Sequence, residues 1–127
     1  MRSLLDTHAL LWWLQEHPSL SSKARRAIAA TENQISVSAA TVWELAIKNN
    51  SGKLEISALL DGFESKLAEE GMLVLPISLD HALRAGALPN HHKDPFDRML
   101  VAQAQADGFS VISNDTIFDR YGIRRIW

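Results

Sequence analysis

Four acidic residues stand where a carboxylate could do chemistry: Asp6, Glu44, Asp97 and Asp115. Asp6 closes the short run Ser3-Leu4-Leu5, and Asp115 follows Val111-Ile112-Ser113-Asn114, so both lie at the carboxyl end of a predicted strand. In open parallel sheets that edge is where ligands bind. Asp97 lies in the first turn of the helix announced by Asp94-Pro95, within His91-His92-Lys93-Asp94-Pro95-Phe96-Asp97-Arg98-Met99-Leu100-Val101-Ala102-Gln103-Ala104. Glu44 sits between Trp43 and Leu45 in a largely apolar helical segment. A glutamate there is usually paired or at the edge of a cleft, because an unpaired buried charge is very unfavourable. Carboxylates gathered at one sheet edge repel strongly unless a cation holds them. Their hard oxygens suit Mg²⁺ or Mn²⁺, ions that neutralise phosphate charge and activate water for in-line attack on phosphorus.

Each acid also has an ordinary structural role open to it. Asp6 can cap the following helix, Asp115 can start a turn, Asp97 can serve the helix dipole, and Glu44 can lie on a solvated face. Asp94 is a natural N-cap, and Pro95 fits the first helical position, where a missing N–H leaves no bond unmade. Lys48, four residues after Glu44, either pairs with it or touches a nucleic-acid backbone, and Arg98 has the same ambiguity. His91 and His92 precede the acidic turn closely enough to reach a bound phosphate, and fit equally well as solvated loop residues. The tryptophans, Trp12, Trp13 and Trp43 among them, read as mainly structural.

The elements that must position these residues alternate between strand and helix. Residues 2–5 form a strand, 8–15 a helix stopped near His17-Pro18, and Ser21 or Ser22 opens a second helix to residue 30. Residues 34–38 alternate polar and apolar side chains, a strand signature. Residues 39–49 are helical by pattern, with Val42, Leu45, Ala46 and Asn49 on one face. Ser57 begins one further helix reaching to about residue 70, followed by an apolar strand at 72–76 and a short helix at 79–88. The helix opened by Asp94-Pro95 runs to about Asp107, with Gly108 at its end. Residues 109–113 and 123–127 are the last strands. Short strands that are apolar on both sides and alternate with helices predict one α/β domain over 1–127, its parallel sheet covered on both faces.

Composition narrows the class. A chain of 127 residues is one domain of ordinary size, and 46% hydrophobic with 22% charged residues marks it as globular. The absence of cysteine excludes a disulfide framework and cysteine-based zinc sites, and fits a cytoplasmic location. The apolar run at residues 9–14 is too short for a membrane span or a signal segment. With a net charge of −2 no global basic field advertises nucleic acid, and the clusters Lys23, Arg25, Arg26 and Arg120, Arg124, Arg125 read as solvated faces. A nucleic-acid partner has to be argued from the site.

Four blocks carry a family resemblance. Leu4-Leu5-Asp6-Thr7-His8, Ser38-Ala39-Ala40-Thr41-Val42-Trp43-Glu44-Leu45-Ala46-Ile47-Lys48, the Asp94 to Ala104 block, and Ser113-Asn114-Asp115 occur in that order. In this arrangement the chain resembles PIN-domain proteins, specifically VapC-type toxin ribonucleases, down to its ending Tyr121-Gly122-Ile123-Arg124-Arg125-Ile126-Trp127. The resemblance implies a PIN-like three-layer sandwich, with about five parallel strands and helices on both faces. It implies that Asp6, Glu44, Asp97 and Asp115 form the acidic quartet that binds Mg²⁺ or Mn²⁺ and cleaves RNA. It implies a homodimer, and a small antitoxin protein that inhibits the site and can build a larger complex. The family's Thr or Ser before the last acid is matched loosely, because Asn114 intervenes between Ser113 and Asp115. Asp94 is extra to the quartet.

Two readings from other classes compete. A receiver-type phosphotransfer domain would need a second acidic pair beside the first strand and a late lysine, and no lysine follows Lys93. A catalytically weak PIN-like scaffold that binds RNA or protein is the other, and the intact quartet argues against it.

Overall fold

Strand β1 (Arg2–Leu5) occupies the centre of the sheet, between β2 (Gln34–Ser38) and β4 (Ser110–Ile112), with β3 (Leu73–Leu75) and β5 (Arg125–Ile126) at the edges. All pairings are parallel in the computed structural model, which describes every residue from Met1 to Trp127. The register sets Leu4 beside Ser36 and Val111, and Leu5 beside Ile112. Because successive side chains point to opposite faces of a sheet, these two rows supply two different cores.

On the first face Leu5, Ile35, Val37 and Ile112 pack against α1 (Thr7–Leu14), α2 (Ser22–Ala29) and α5 (Phe63–Glu69) through Ala9, Leu10, Ala24, Ile28, Phe63 and Leu67. On the second face Leu4 and Val111 pack against Leu100, Val101 and Ala104 of α7 (Pro95–Asp107) and against Phe118 and Tyr121. The remaining helices are α3 (Ala39–Asn50), α4 (Ser57–Leu60) and α6 (Leu79–Ala87). The result is the three-layer α/β sandwich that the alternating pattern predicts. None of these helices is long and apolar enough to cross a membrane.

Local chemistry explains most boundaries. Asp6, Ser21, Ser38, Ser78 and Asp94 each accept a backbone N–H with their side chain at the start of α1, α2, α3, α6 and α7, satisfying donors that no helix can pair internally. Three details differ from the sequence reading. The helix expected from Ser57 to about residue 70 is two helices, because Gly62 takes a left-handed conformation (φ 65°) between α4 and α5. The buried positions of α3 are Ala40, Thr41, Glu44 and Leu45, so the predicted face is turned by about one residue and Ala46 is exposed. After β4 a 3₁₀ helix (Thr116–Tyr121), unmarked by any apolar period, carries the chain onto the second face.

The break at Gly62 yields a direct test. A Cβ built there meets no atom within 4 Å, so Gly62→Ala changes only backbone preference. The variant should lose about 1–2 kcal/mol of stability by urea unfolding, the cost of a left-handed conformation in an L-residue. Unchanged stability would mean that α4 and α5 are not held apart by this conformation.

Candidate active site

The strand order places a crevice where chemistry can occur. After β1 the chain turns to α1 on the first face, and after the neighbouring β4 it turns to the 3₁₀ helix on the second. The two connections part above the sheet, and parallel α/β sheets bind their ligands at such a divergence. Asp6 stands at this point. Its N–H donates to the Ile112 carbonyl at 3.2 Å, its Oδ1 accepts the Ala9 N–H at 2.9 Å, and its Oδ2 accepts the Ser113 hydroxyl. The Ser113 oxygen in turn accepts the Asp115 N–H at 3.0 Å, and Asp115 Oδ1 accepts the Ile117 N–H at 3.0 Å. Side chains thus tie together the carboxyl ends of two strands more than a hundred residues apart in sequence.

Glu44 and Asp97 come to the same place from helices. Glu44 is buried, its Oε1 accepting the Thr7 hydroxyl and its Oε2 pairing with Lys48 Nζ at 2.6 Å. Asp97 is set by the cap of α7, where Asp94 Oδ1 accepts the N–H groups of Phe96 and Asp97 at 2.9 and 3.0 Å. Its carboxylate is mostly buried, and the nearest basic group is His92 Nε2 at 3.6 Å from Oδ2.

These residues line one cavity of about 530 Å³, which presents Asp6, Glu44, Asp94, Asp97 and Asp115 together with Thr7, His8, Trp12, Lys48, Asn114 and Thr116. Five carboxylates face a single lysine and one histidine there. The imbalance is visible in the acids themselves. Asp97 is pushed up to about 7, first by burial and then by the charges of Asp94, Asp6, Glu44 and Asp115. Asp6 is also raised by burial, against the opposing pull of the Ser113 hydroxyl and the Ala9 N–H. No three of these side chains close on a single point as a ready-made cage. An all-oxygen donor set spread around a roomy polar cavity fits a hard divalent ion held through one or two carboxylates and its own waters. A separate groove of about 360 Å³, lined by Ala40, Trp43, Ile77, Phe96 and Met99 among others, contains no carboxylate.

Residues 3–124 match the PIN domain family. The chain belongs to that family. No curated protein matches it by sequence. Among solved structures, the VapBC2 complex of Rickettsia felis bound to a DNA fragment from its promoter contains a chain similar at 16% identity, with a TM-score of 0.73 over 98% of this chain and 97% of the other. VapBC-1 of nontypeable Haemophilus influenzae is similar at 17% identity and a TM-score of 0.70, covering 98% and 96%. A toxin–antitoxin complex from Klebsiella pneumoniae is similar at 23% identity and a TM-score of 0.60, covering 90% and 87%. These likenesses establish a shared fold across nearly the whole chain.

Within this PIN domain, Asp6, Glu44, Asp97 and Asp115 all reach the cavity that the sequence expected them to share. Asp94 does both things open to it, capping α7 and lining the cavity. Lys48 pairs with Glu44 as the i,i+4 spacing allows. Arg98 does not point to a substrate, since its guanidinium donates to the carbonyls of Ala85, Leu88, Pro89 and His92 and so pins the loop before α7. Trp43 is 61% exposed, packing edge-on against Phe96, so it is not a core residue. His91 is exposed against the Tyr121 ring, whereas His92 turns inward. Two contributors lie in segments that carry the resemblance but are given no site role by the sequence: Thr7, whose Glu44 partner is 37 residues away, and Tyr121, which bonds His92.

The state of Asp97 sets a pH dependence. In the folded chain its pKa is about 7 against an ordinary 3.8, so between those values the native state holds a proton that the unfolded chain has released. Stability of the metal-free protein should therefore fall as pH rises through that window. Asp97→Asn removes this contribution and should leave the protein more stable than wild type at about pH 8, by on the order of a few kcal/mol. Urea unfolding across pH in the presence of a chelator measures it. Parallel curves for the two proteins would contradict a buried, repelled Asp97.

Proposed function

We propose that this PIN domain is a metal-dependent endoribonuclease of the VapC toxin type, cleaving RNA phosphodiester bonds in the cytoplasm under the control of a small antitoxin protein. The observation that carries the reading is the charge imbalance of one cavity. Carboxylates drawn from four separate parts of the chain meet there, and burial together with their charges drives Asp97 to about 7. The printed descriptions of the structural neighbours, toxin–antitoxin complexes among them, support the same direction.

In this reading Asp6 and Asp97 hold Mg²⁺ or Mn²⁺, and Asp115 and Glu44 complete the pocket. Once bound, the ion supplies neutralisation of the phosphate charge and a more acidic water. The protein's part is to orient. The Ser113 hydroxyl fixes Asp6 Oδ2, and the Ala9 N–H fixes Oδ1, so the carboxylate cannot rotate away from the crevice. Thr7 and Lys48 hold both oxygens of Glu44, which keeps its charge in the wall without leaving it uncompensated. Lys48, about one-third exposed, offers a positive group to an incoming phosphate. No cysteine is available as a covalent nucleophile, and the cavity needs none. Exposed apolar side chains on α3 and α6, Trp43, Ile47, Leu79 and Leu83, support assembly into a homodimer or a larger complex with the antitoxin.

The deciding experiment is RNA cleavage by the purified protein with Mg²⁺ or Mn²⁺, with a chelator, and with Asp97→Asn. Cleavage should require metal, and the variant should lose more than about a hundred-fold while remaining folded, since a ligand itself is removed and loss of an outer partner alone commonly costs 10–100-fold. RNA binding without cleavage under all conditions would instead mark a scaffold.

The inhibitor has a predictable chemistry. It should insert an arginine into the cavity, because a guanidinium fork satisfies two carboxylates at once and competes with metal for them. A structure of the complex in which Asp6 and Asp97 stay open to solvent would rule out this mode of inhibition.

A further inference from the structure

His92 lies outside the acidic quartet, yet its ring is the one basic group that reaches Asp97. Its Nδ1 is 2.7 Å from the Tyr121 hydroxyl, and that hydroxyl also accepts a long contact from Arg98 Nη1 at 3.4 Å. A guanidinium can only donate, so of these two neighbours only His92 Nδ1 can take the tyrosine proton. In the arrangement where the hydroxyl donates, Nδ1 accepts and the ring's own proton sits on Nε2. That Nε2 is buried with no hydrogen-bond partner, and Asp97 Oδ2 stands just beyond hydrogen-bond reach at 3.6 Å. Leaving a buried donor unpaired is unfavourable, so the ring and the carboxylate gain by closing the gap.

The loop that carries the ring cannot drift. Arg98 Nη1 and Nη2 donate to the carbonyls of Leu88 and Pro89 before it and to that of His92 itself at 3.3 Å. Tyr121 is buried in the second core with Phe118 and Val111, so the hydroxyl that selects the tautomer is fixed by packing. We infer that His92 is a positioning residue for Asp97: its Nε2–H, locked in place by Tyr121, takes one carboxylate oxygen and leaves the other to the cavity. Groups that orient a metal-binding side chain in this way commonly change metal affinity by 10–100-fold when removed. The inference rests on Asp97 being a metal ligand, as the proposed function holds.

The test is Mn²⁺ affinity, read as the loss of the free-ion electron paramagnetic resonance signal on titration, independent of any RNA assay. Wild type, Asp97→Asn, His92→Ala, His92→Gln and Tyr121→Phe are compared, with circular dichroism to confirm folding. His92→Ala should weaken Mn²⁺ binding about ten-fold or more. His92→Gln, whose amide can place an N–H near the position of Nε2, should recover most of that loss. Tyr121→Phe keeps the ring but frees the imidazole tautomer, and should fall between wild type and His92→Ala. If His92→Ala does not fold, the Gln and Phe variants carry the test by themselves. Wild-type affinity in Tyr121→Phe, or in His92→Ala while Asp97→Asn has lost it, overturns the positioning role alone. A wild-type protein that binds no Mn²⁺ overturns the acidic-site reading and this inference together.

Discussion

Like charges confined to one cavity must be compensated or neutralised, and the polar contacts around this cavity divide the acids by how far each is compensated. Asp6 has a donor on each oxygen, the Ala9 N–H and the Ser113 hydroxyl. Glu44 has the Thr7 hydroxyl and Lys48. Asp115, exposed to water, accepts the Ile117 N–H. Asp97 has no hydrogen-bond donor within reach, is largely buried, and is the group driven to about 7. Burial raises both Asp97 and Asp6, and repulsion from four neighbouring acids adds to it at Asp97, so a cation would relieve both side chains.

The same contacts stitch the fold together at its open edge. Ser113 to Asp6 joins the ends of β4 and β1, and Thr7 to Glu44 joins the start of α1 to α3. The first joins strands whose following connections diverge to opposite faces of the sheet, and the second ties two helices that share one core, so the crevice is braced rather than merely left between loops. Arg98 braces the third side by gathering carbonyls from the end of α6 and from the loop before α7. A guanidinium suits this task because its several N–H groups can serve separate acceptors while its charge stays delocalised. Its position one residue after Asp97 ties the geometry of the acid to the geometry of the loop.

Sequence identities of 16–23% to the solved structures of the same fold accompany coverage of 87–98% on both sides. Such a fold asks only for apolar residues alternating on short strands and for capped helices, and many sequences meet those demands. The site asks for more. It needs side chains of one type at a few strand ends and helix starts, and the short blocks around Asp6, Glu44, Asp97 and Asp115 stand out within a family likeness that spans residues 3–124.

What could be read along the chain is what neighbouring residues decide. Caps at Asp6, Ser21 and Asp94, the stop at Gly108, and the alternation over residues 34–38 act within a few bonds, and strands and helices fall where they predict. The acids could be nominated because a carboxylate at the end of an apolar run is unusual in itself. Other features depended on contacts between distant residues. The inward face of α3 is turned by about one residue because Glu44 is held by Thr7 from another element, leaving Trp43 in solvent where its own character suggests burial. The roles of His92 and Arg98 could not be told apart from a loop's worth of polar residues, since each is defined by partners in other elements, Tyr121 for one and backbone carbonyls for the other. Periodicity reports which way a side chain would face if only water and oil were on offer, and it carries no information about a hydroxyl or a carbonyl brought alongside by the pairing of strands far apart in the chain.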